Sequence, residues 1–350
     1  IRSPDDAALD ALCERLAEAA RQRSPSDWPA ESLADCGRSG VFEWFLPREW
    51  SGQEWSDADV IRGYLKLSAA CLTTTFIITQ RTGACRRIAA ADVDSADALK
   101  RRLLPDLLSG TTFATVGISH LTTSRRHLSR PVLRAEESAG GFVLDGFSPW
   151  VTGAPHAQTV VTGATFADGR QVLVALPMDL PGVTVPGLDG SHTGRVELDS
   201  VEVPREWLLA GPVEDVMAQG IGAKSGGLQT STLAIGLASA AVAFLEDETS
   251  RRDDLQAPTG QLRRDQAELE RRLLKIAAGE SDCTQEQLRV DANSLVLRAT
   301  QAALAAAKGT GYVVGHPAGR WCLEALFFLV WSCPQPVMSA NLCELAGISD

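Results

Sequence analysis

Along this chain the spacing of apolar residues changes twice. Up to about residue 110 they recur at three-four intervals, from Thr111 the period drops to two with many β-branched residues, and after Pro204 the helical spacing returns. A chain written this way belongs to the α+β class. The expected order is an N-terminal helical domain over 1–110, a small antiparallel β-barrel or sandwich over 111–210, and a C-terminal four-helix bundle over 211–350. In the first part, Leu9, Leu12, Leu16 and Ala19 mark one amphipathic helix and Ser56 caps another running to Cys71. In the middle part, short strands such as Thr159–Thr162, Gln171–Leu176 and Arg195–Val203 alternate with Gly and Pro. In the last, helices are expected over 225–250, 261–278, 284–308 and 318–332.

Composition excludes several functions. A net charge of -11 over 350 residues repels polyanions, so nucleic acid is not an expected partner. No continuous apolar run approaches the roughly 20 residues a membrane helix needs. The longest near-continuous one, Ala325–Trp331, suits a buried helix, and no membrane partner is expected. The eight cysteines include no C-x-x-C pair and the five histidines lack i, i+4 spacing. They fit reduced thiols of a cytoplasmic protein with no metal site.

One stretch of the β-region carries chemistry: Gly141-Phe-Val-Leu-Asp-Gly-Phe-Ser-Pro-Trp-Val-Thr-Gly-Ala154. Asp145-Gly146 is expected to turn a hairpin between Phe142–Leu144 and Trp150–Thr152. It reads either as an ordinary hairpin with a core Trp or as a wall against which a flat ligand lies, its edge bonded by the Thr152 hydroxyl. By contrast, Gly309-x-Gly311-x3-Gly315 only mimics a dinucleotide fingerprint. It follows a helix ending at Lys308 and not a strand, so a helix C-cap and turn is expected there.

Several segments, in order, resemble the acyl-CoA dehydrogenase family. Pro47-Arg-Glu-Trp-Ser-Gly is similar to its "P-E-E-Y-G-G", Leu103-Leu-Pro-Asp-Leu-Leu-Ser-Gly110 to "Y-L-P-x-L-x-S-G", and the Gly141–Gly153 stretch to "Y-x-I-N-G-x-K-x-W-I-T-N". Val196–Pro204 resembles "V-x-F-x-D-V-x-V-P", Arg252-Asp-Asp-Leu255 with Leu262-x3-Gln266 resembles "R-x-x-F-G-x-x-L-x-x-x-Q", and Gly309-Thr-Gly-Tyr312 resembles "G-G-x-G-Y". The resemblance implies FAD, with FMN as a second candidate, held between the β-domain and the bundle. It places Trp150 and Val151 against the flavin, Thr152 at N5, and Ser119 beside them. It implies that Arg252 reaches the FAD pyrophosphate of a second subunit in a homodimer or homotetramer, and that Gln266 lies near the adenosine half.

The departures from the family matter as much. Its Gly-rich loop is replaced by His120-Leu-Thr-Thr-Ser-Arg-Arg-His127, where Thr122, Thr123 and Ser124 offer hydroxyls and Arg125, Arg126, Arg130 and Arg134 form a basic segment. The family's catalytic Glu, in "Y-E-G-T", corresponds to Ser332, and the second position used for that base falls near Gly226-Gly227. His120 and Cys333 remain candidates for other chemistry. Three readings stand open: a flavin oxidoreductase acting on an acyl thioester such as an acyl-CoA or a related small molecule, a flavin monooxygenase of the same fold, and a non-catalytic binding homologue.

Overall fold

The computed structural model describes residues 1–24, 26–122, 131–186, 192–218, 227–280 and 283–348. Five helices come first: α1 (Ala7–Gln22), α2 (Ala30–Arg38), α3 (Asp57–Ala70), α4 (Leu72–Ala89) and α5 (Ala96–Ser109). Their starts are legible in side-chain chemistry. Asp6 accepts the Ala8 N–H at the head of α1, and Ser56 Oγ accepts the Asp59 N–H at the head of α3. The buried stripe of α1 is Leu9, Leu12, Leu16 and Ala20, so the last position is one residue beyond the expected Ala19.

The chain divides into two compact units. The second, Ser24–Glu54 with Ile77–Ser225, holds the strands. These are β1 (Ala114–Gly117), β2 (Leu133–Ser138), β3 (Gly141–Thr152), β4 (Thr159–Thr165), β5 (Gln171–Pro177), β6 (Val183–Thr184), β7 (Thr193–Pro204) and β8 (Leu208–Val213), with the one-turn helix α6 (Ser119–Thr122) after β1. They form one sheet in the order β6-β7-β3-β2-β4-β5-β8, while β1 lies parallel to β4. Neighbours are otherwise antiparallel, apart from a single parallel pairing of β2 with β4.

Strands β4 and β5 are buried on both faces. Val160, Ala164, Val172, Val174 and Leu176 enter one core with Phe142, Leu144 and Val196, while Val161, Leu173 and Ala175 enter another with Ala84, Ile88, Leu99 and Leu104 of α4 and α5. A strand covered on both sides has no polar face to show, which is why Thr159–Thr162 and Gln171–Leu176 read as near-continuous apolar runs.

The expected hairpin at Asp145-Gly146 does not form. β3 is one twelve-residue strand, and Gly146 sits in a register shift against β7 with φ +125°. A Cβ at Gly146 would lie 2.1 Å from the Val132 carbonyl oxygen, so the glycine permits a bulge and not a reversal of direction. A second shift, between Ser148 and Val151, re-aims the strand end that carries Trp150. The turn chemistry of Asp-Gly was real, but β7 pairs along both halves and holds them in line.

The other unit, Ile1–Arg23 with Trp55–Phe76 and Gly226–Asp350, is helical. It contains α1, α3, α7 (Gly227–Thr249), α8 (Gln256–Ala277), α9 (Gln285–Ala307), α10 (Pro317–Leu326) and α11 (Gln335–Leu345). α7 is its axis, packing on α3, α8, α9 and α10. Over Leu228–Thr249 it is long and apolar enough to cross a membrane by length and composition, with 67% of that window buried among its neighbours. This corrects the expectation that Ala325–Trp331 is the most extended apolar segment. That segment also stops being helical early, because α10 ends at Leu326 and a 3-10 turn follows over Phe327–Leu329.

Candidate functional site

In the sheet-bearing unit the functional candidates lie around the end of β3. Ser148 and Val151 are buried, and the Ser148 hydroxyl donates to the Gly117 carbonyl at 2.9 Å. Thr162 donates to the same carbonyl at 2.7 Å. Thr152 is buried, and its Oγ1 accepts from Thr193 Oγ1 at 3.1 Å. That bond leaves the Thr152 proton free to donate elsewhere. Trp150 differs from its neighbours: its side chain is 63% exposed on a strand whose other bulky residues are mostly covered. A large aromatic face left uncovered beside a buried hydroxyl is the arrangement a flat ligand with a polar edge fits.

The strand end is fixed from outside. Gly153 has φ +68°, and a Cβ there would lie 2.7 Å from Trp28 Cη2 and 2.8 Å from Phe113 Cε1. Its N–H donates to the His192 carbonyl at 2.9 Å. Trp28 stacks on His156 with centroids 4.1 Å apart, and the two imidazoles of His156 and His192 meet at 2.9 Å. Sequence reasoning passed over this cluster, because its members come from three separated segments with no shared spacing.

α6 packs against β3 and brings Ser119 and His120 to the same region. Ser119 is half-buried. His120 is buried, its Nε2 donating to the Gly163 carbonyl at 2.7 Å, and Nδ1 has no partner among the described residues. Burial lowers its pKa, so the ring is neutral at pH 7 with a bare Nδ1. Of the expected basic segment, Arg134 is exposed and paired with Asp145, its register partner on β3. Thr123, Ser124, Arg125, Arg126 and Arg130 lie outside the described residues, as do the side chain of Thr122 and Gly226.

In the helical unit, Arg252 is engaged within its own chain. It donates to Asp254 Oδ2 at 2.9 Å and to the Ala306 carbonyl at 3.0 Å, and the Asp254 carboxylate raises its pKa. Gln266 is buried in α8, accepting from Arg263 at 2.7 Å and facing Glu270 at 3.3 Å. Lys308–Tyr312 forms the expected turn at the end of α9.

Ser332 is exposed with φ +46°, in the left-handed region that favours glycine. Cys333, beside it, is half-buried, and its thiol pKa is raised by burial and pulled back by Arg289. Arg289, from α9, shapes this turn. It is 4% exposed and its Nη2 donates to the carbonyls of Phe328 and Trp331, each at 3.0 Å. Asn293 donates to the Phe328 carbonyl as well, at 3.2 Å. These bonds occupy the Phe328 carbonyl that a continuing helix would offer to residue 332, and Pro334 blocks further extension. They account for the helix not resuming beyond the 3-10 turn that follows α10. Burial brings the Arg289 pKa down to about 10.

No protein-family model matches the chain. It is similar to a probable acyl-CoA dehydrogenase of Bacillus subtilis (strain 168), with 24% identity over 62% of this chain and 59% of that one. Among solved structures it is similar to a glutaryl-coenzyme A dehydrogenase in complex with glutaryl-CoA, with a TM-score of 0.81, 17% identity, and coverage of 98% of this chain and 96% of that one. It is also similar to dibenzothiophene monooxygenase from a Paenibacillus species, with a TM-score of 0.77, 18% identity, and coverage of 96% and 95%. Its curated relatives carry the names of acyl-CoA dehydrogenases, and its fold is the one those enzymes share. Its match spans about three fifths of the length of the Bacillus relative.

The helical unit also holds a carboxylate that motif reasoning missed. Glu324 of α10 is held by burial well above the ordinary carboxylate range. Its Oε1 accepts from Thr73 at 3.3 Å and faces Arg320 Nε at 3.7 Å, while Oε2 is buried with no partner among the described residues. Among the described residues it is the carboxylate whose proton affinity is raised. Others with a resolved shift, such as Asp168 and Asp254, are lowered by neighbouring arginines. The signal was available in the sequence only as Arg320 and Glu324, an i, i+4 pair in an otherwise mostly apolar helix.

Proposed function

We propose that this chain is a flavin-dependent oxidoreductase that binds FAD against the end of β3 and acts on an acyl thioester or a related small molecule. The observation that carries the reading is the pairing of an exposed Trp150 with a buried Thr152 whose proton is free to donate, in a family whose relatives are named as acyl-CoA dehydrogenases. In this reading Trp150 and Val151 cover the ring, Thr152 donates to its edge, and Ser119 supplies a further hydroxyl. By the family resemblance, Arg252 serves the FAD pyrophosphate of a second copy, and Gln266 an adenosine half. When bound, the flavin supplies the hydride-accepting centre, and the protein's part is to orient it and exclude water. The exposed apolar side chains Tyr312, Val314, Leu323, Leu326, Val330 and Leu345 of the helical unit support burial against a second copy, as a dimer or tetramer would provide. A cytoplasmic location belongs to the same proposal.

A monooxygenase is the second reading. By the motif resemblance Ser332 takes the place of the base of acyl-CoA dehydrogenases, and a hydroxyl cannot remove an α-proton unaided. Oxygen chemistry needs no such base, and the fold is that of dibenzothiophene monooxygenase too.

The visible spectrum of the purified protein, before and after addition of FAD, is the deciding experiment. A bound flavin band is expected, and Thr152→Ala is expected to weaken FAD binding about tenfold, the worth of one hydrogen bond to a charged or polarised acceptor. No band and no binding of added FAD or FMN would overturn both readings and leave the non-catalytic homologue. If flavin binds, anaerobic bleaching by isovaleryl-, glutaryl- or butyryl-CoA selects the dehydrogenase. Oxygen-dependent consumption of reduced flavin without such bleaching selects the monooxygenase.

A further inference from the structure

The His156–His192 pair holds three separated segments together at the end of β3. His192 Nε2 lies 2.9 Å from the Ser26 carbonyl oxygen, which can only accept. Nε2 of His192 therefore carries the proton and its Nδ1 is bare. His156 Nε2 lies 2.9 Å from that bare nitrogen and must be the donor, which leaves Nδ1 of His156 bare in turn. The tautomers of both rings are thus set by one backbone carbonyl. From the same residues the backbone is tied down, as the His192 carbonyl takes the Gly153 N–H and Thr193 takes up Thr152 Oγ1. His192 itself sits at φ +52°, a conformation that its surroundings must enforce.

We propose that His156 and His192 are positioning residues for Thr152: a pair that stays closed while it holds at most one proton, and that releases the Ser26–Trp28 segment from the end of β3 when it takes up a second. The first proton fits. Placed on His156 Nδ1, it disturbs neither hydrogen bond, and the imidazolium lies flat on Trp28 at 4.1 Å, where the indole face attracts a cation. The second proton must go to His192 Nδ1. Two N–H groups and two positive charges then face each other across the same 2.9 Å, and the bond between the rings is lost.

Among the described residues, nothing neutralises that charge. Asp27 is exposed beside Ser26, and Arg195 and Glu197 on β7 pair with each other. Gln158 donates to the His156 backbone carbonyl, and Phe113 contributes only its ring, edge-on to Trp28. Among the described residues no carboxylate or guanidinium forms an ion pair or hydrogen bond with either imidazole. Burial, and then the neighbouring His192, lower the pKa of His156 below the ordinary value. That shift concerns the first proton: its cost to stability appears as pH falls below the unfolded value of about 6.5, but both hydrogen bonds remain. The pair is therefore closed at neutral pH, and it opens only where acid places a proton on both rings.

Hydrogen exchange of the intact protein at pH 8 and pH 4.5, corrected for intrinsic rates, tests this. Peptides covering Ser26–Trp28 and Val151–His156 are expected to lose at least about tenfold in protection at pH 4.5, while the core strand Val160–Ala164 keeps its own. His192→Gln keeps a donor for the Ser26 carbonyl on a side chain that does not titrate. His156→Gln can turn its amide oxygen toward a protonated His192. Both variants are expected to stay protected at pH 4.5. Unchanged protection in the wild type, or equal loss in both variants and wild type, overturns the proposal, and the wild-type measurement decides even if a variant fails to fold. A second arm rests on the flavin reading: the Kd for FAD should rise about tenfold from pH 8 to 4.5 in the wild type and stay within about twofold in His156→Gln. If no FAD binds at any pH, that reading fails while the exchange result still judges the pair.

Discussion

Two places in this molecule match motifs of the acyl-CoA dehydrogenases it resembles, and they are held in different ways. At the end of β3, Trp150, Val151 and Thr152 are held by sheet pairing with β7, by Gly153 against Trp28 and Phe113, and by bonds from Thr193 and His192. At the end of α10, Ser332 stands exposed in a left-handed conformation, on a turn held by Arg289 and Asn293 from one neighbouring helix. A ligand wall is a property of backbone shape and packing, so many residues sustain it. A general base is one side chain, and one substitution removes it.

That contrast is most exposed to Gly153→Ala. The methyl would enter a space bounded by two aromatic rings at less than 3 Å, on a backbone with φ +68°. Overpacking and backbone strain together should cost about 3 kcal/mol, read as a lower denaturation midpoint in guanidinium. FAD affinity should fall with it. A variant as stable as the wild type would mean that the strand end is looser than its packing implies, and the distinction between the two places would weaken.

The same contrast explains what could be read from the sequence. The helices, the class of the fold and most strands were legible because their signals are local: the capping residues Asp6 and Ser56, the 3-4 spacing of Leu9, Leu12 and Leu16, and the β-branched runs of β4 and β5. Asp145-Gly146 misled because a turn dipeptide states only that φ can be positive, and pairing with β7 decides whether that yields a turn or a bulge. β8 was not expected, since Leu208–Val213 contains a Gly-Pro step that reads as a breaker. Of the candidate site, Trp150 and Thr152 were legible as motif letters. The His156–His192 pair, the clasp of Arg289 on Phe328 and Trp331, and the burial of Glu324 were not, because each joins residues far apart in sequence.

Arg289→Met sharpens the second half of the comparison. The substitution removes hydrogen bonds to the buried Phe328 carbonyl and the half-buried Trp331 carbonyl, and also a buried cation for which the described residues offer no carboxylate in hydrogen-bond reach, two effects of opposite sign. Asn293 still donates to the Phe328 carbonyl while the Trp331 carbonyl loses its donor, so the net change should be a loss of about 1 kcal/mol. Hydrogen exchange should place the loosening at residues 328–333 and leave β3 unaffected. Loosening that spread to β3 would break the claim that the two places are held by separate means.

The smallest expected effect concerns Ser332 alone. A serine at φ +46° bears a Cβ in a region that costs a non-glycine residue about 1 kcal/mol, and its side chain is exposed with little packing to lose. Ser332→Gly should therefore stabilise the protein by about 0.5 kcal/mol, the relief of strain being partly offset by the greater freedom of glycine in the unfolded chain. Ser332→Ala, which keeps the Cβ, should leave stability unchanged, and the difference between the two variants isolates the backbone contribution. If glycine instead destabilises while alanine does not, the left-handed turn owes its shape to Arg289 so completely that the local strain is immaterial. If alanine destabilises as well, the Ser332 hydroxyl makes a contact that matters, and the position is not the vacated one that the comparison with β3 takes it to be.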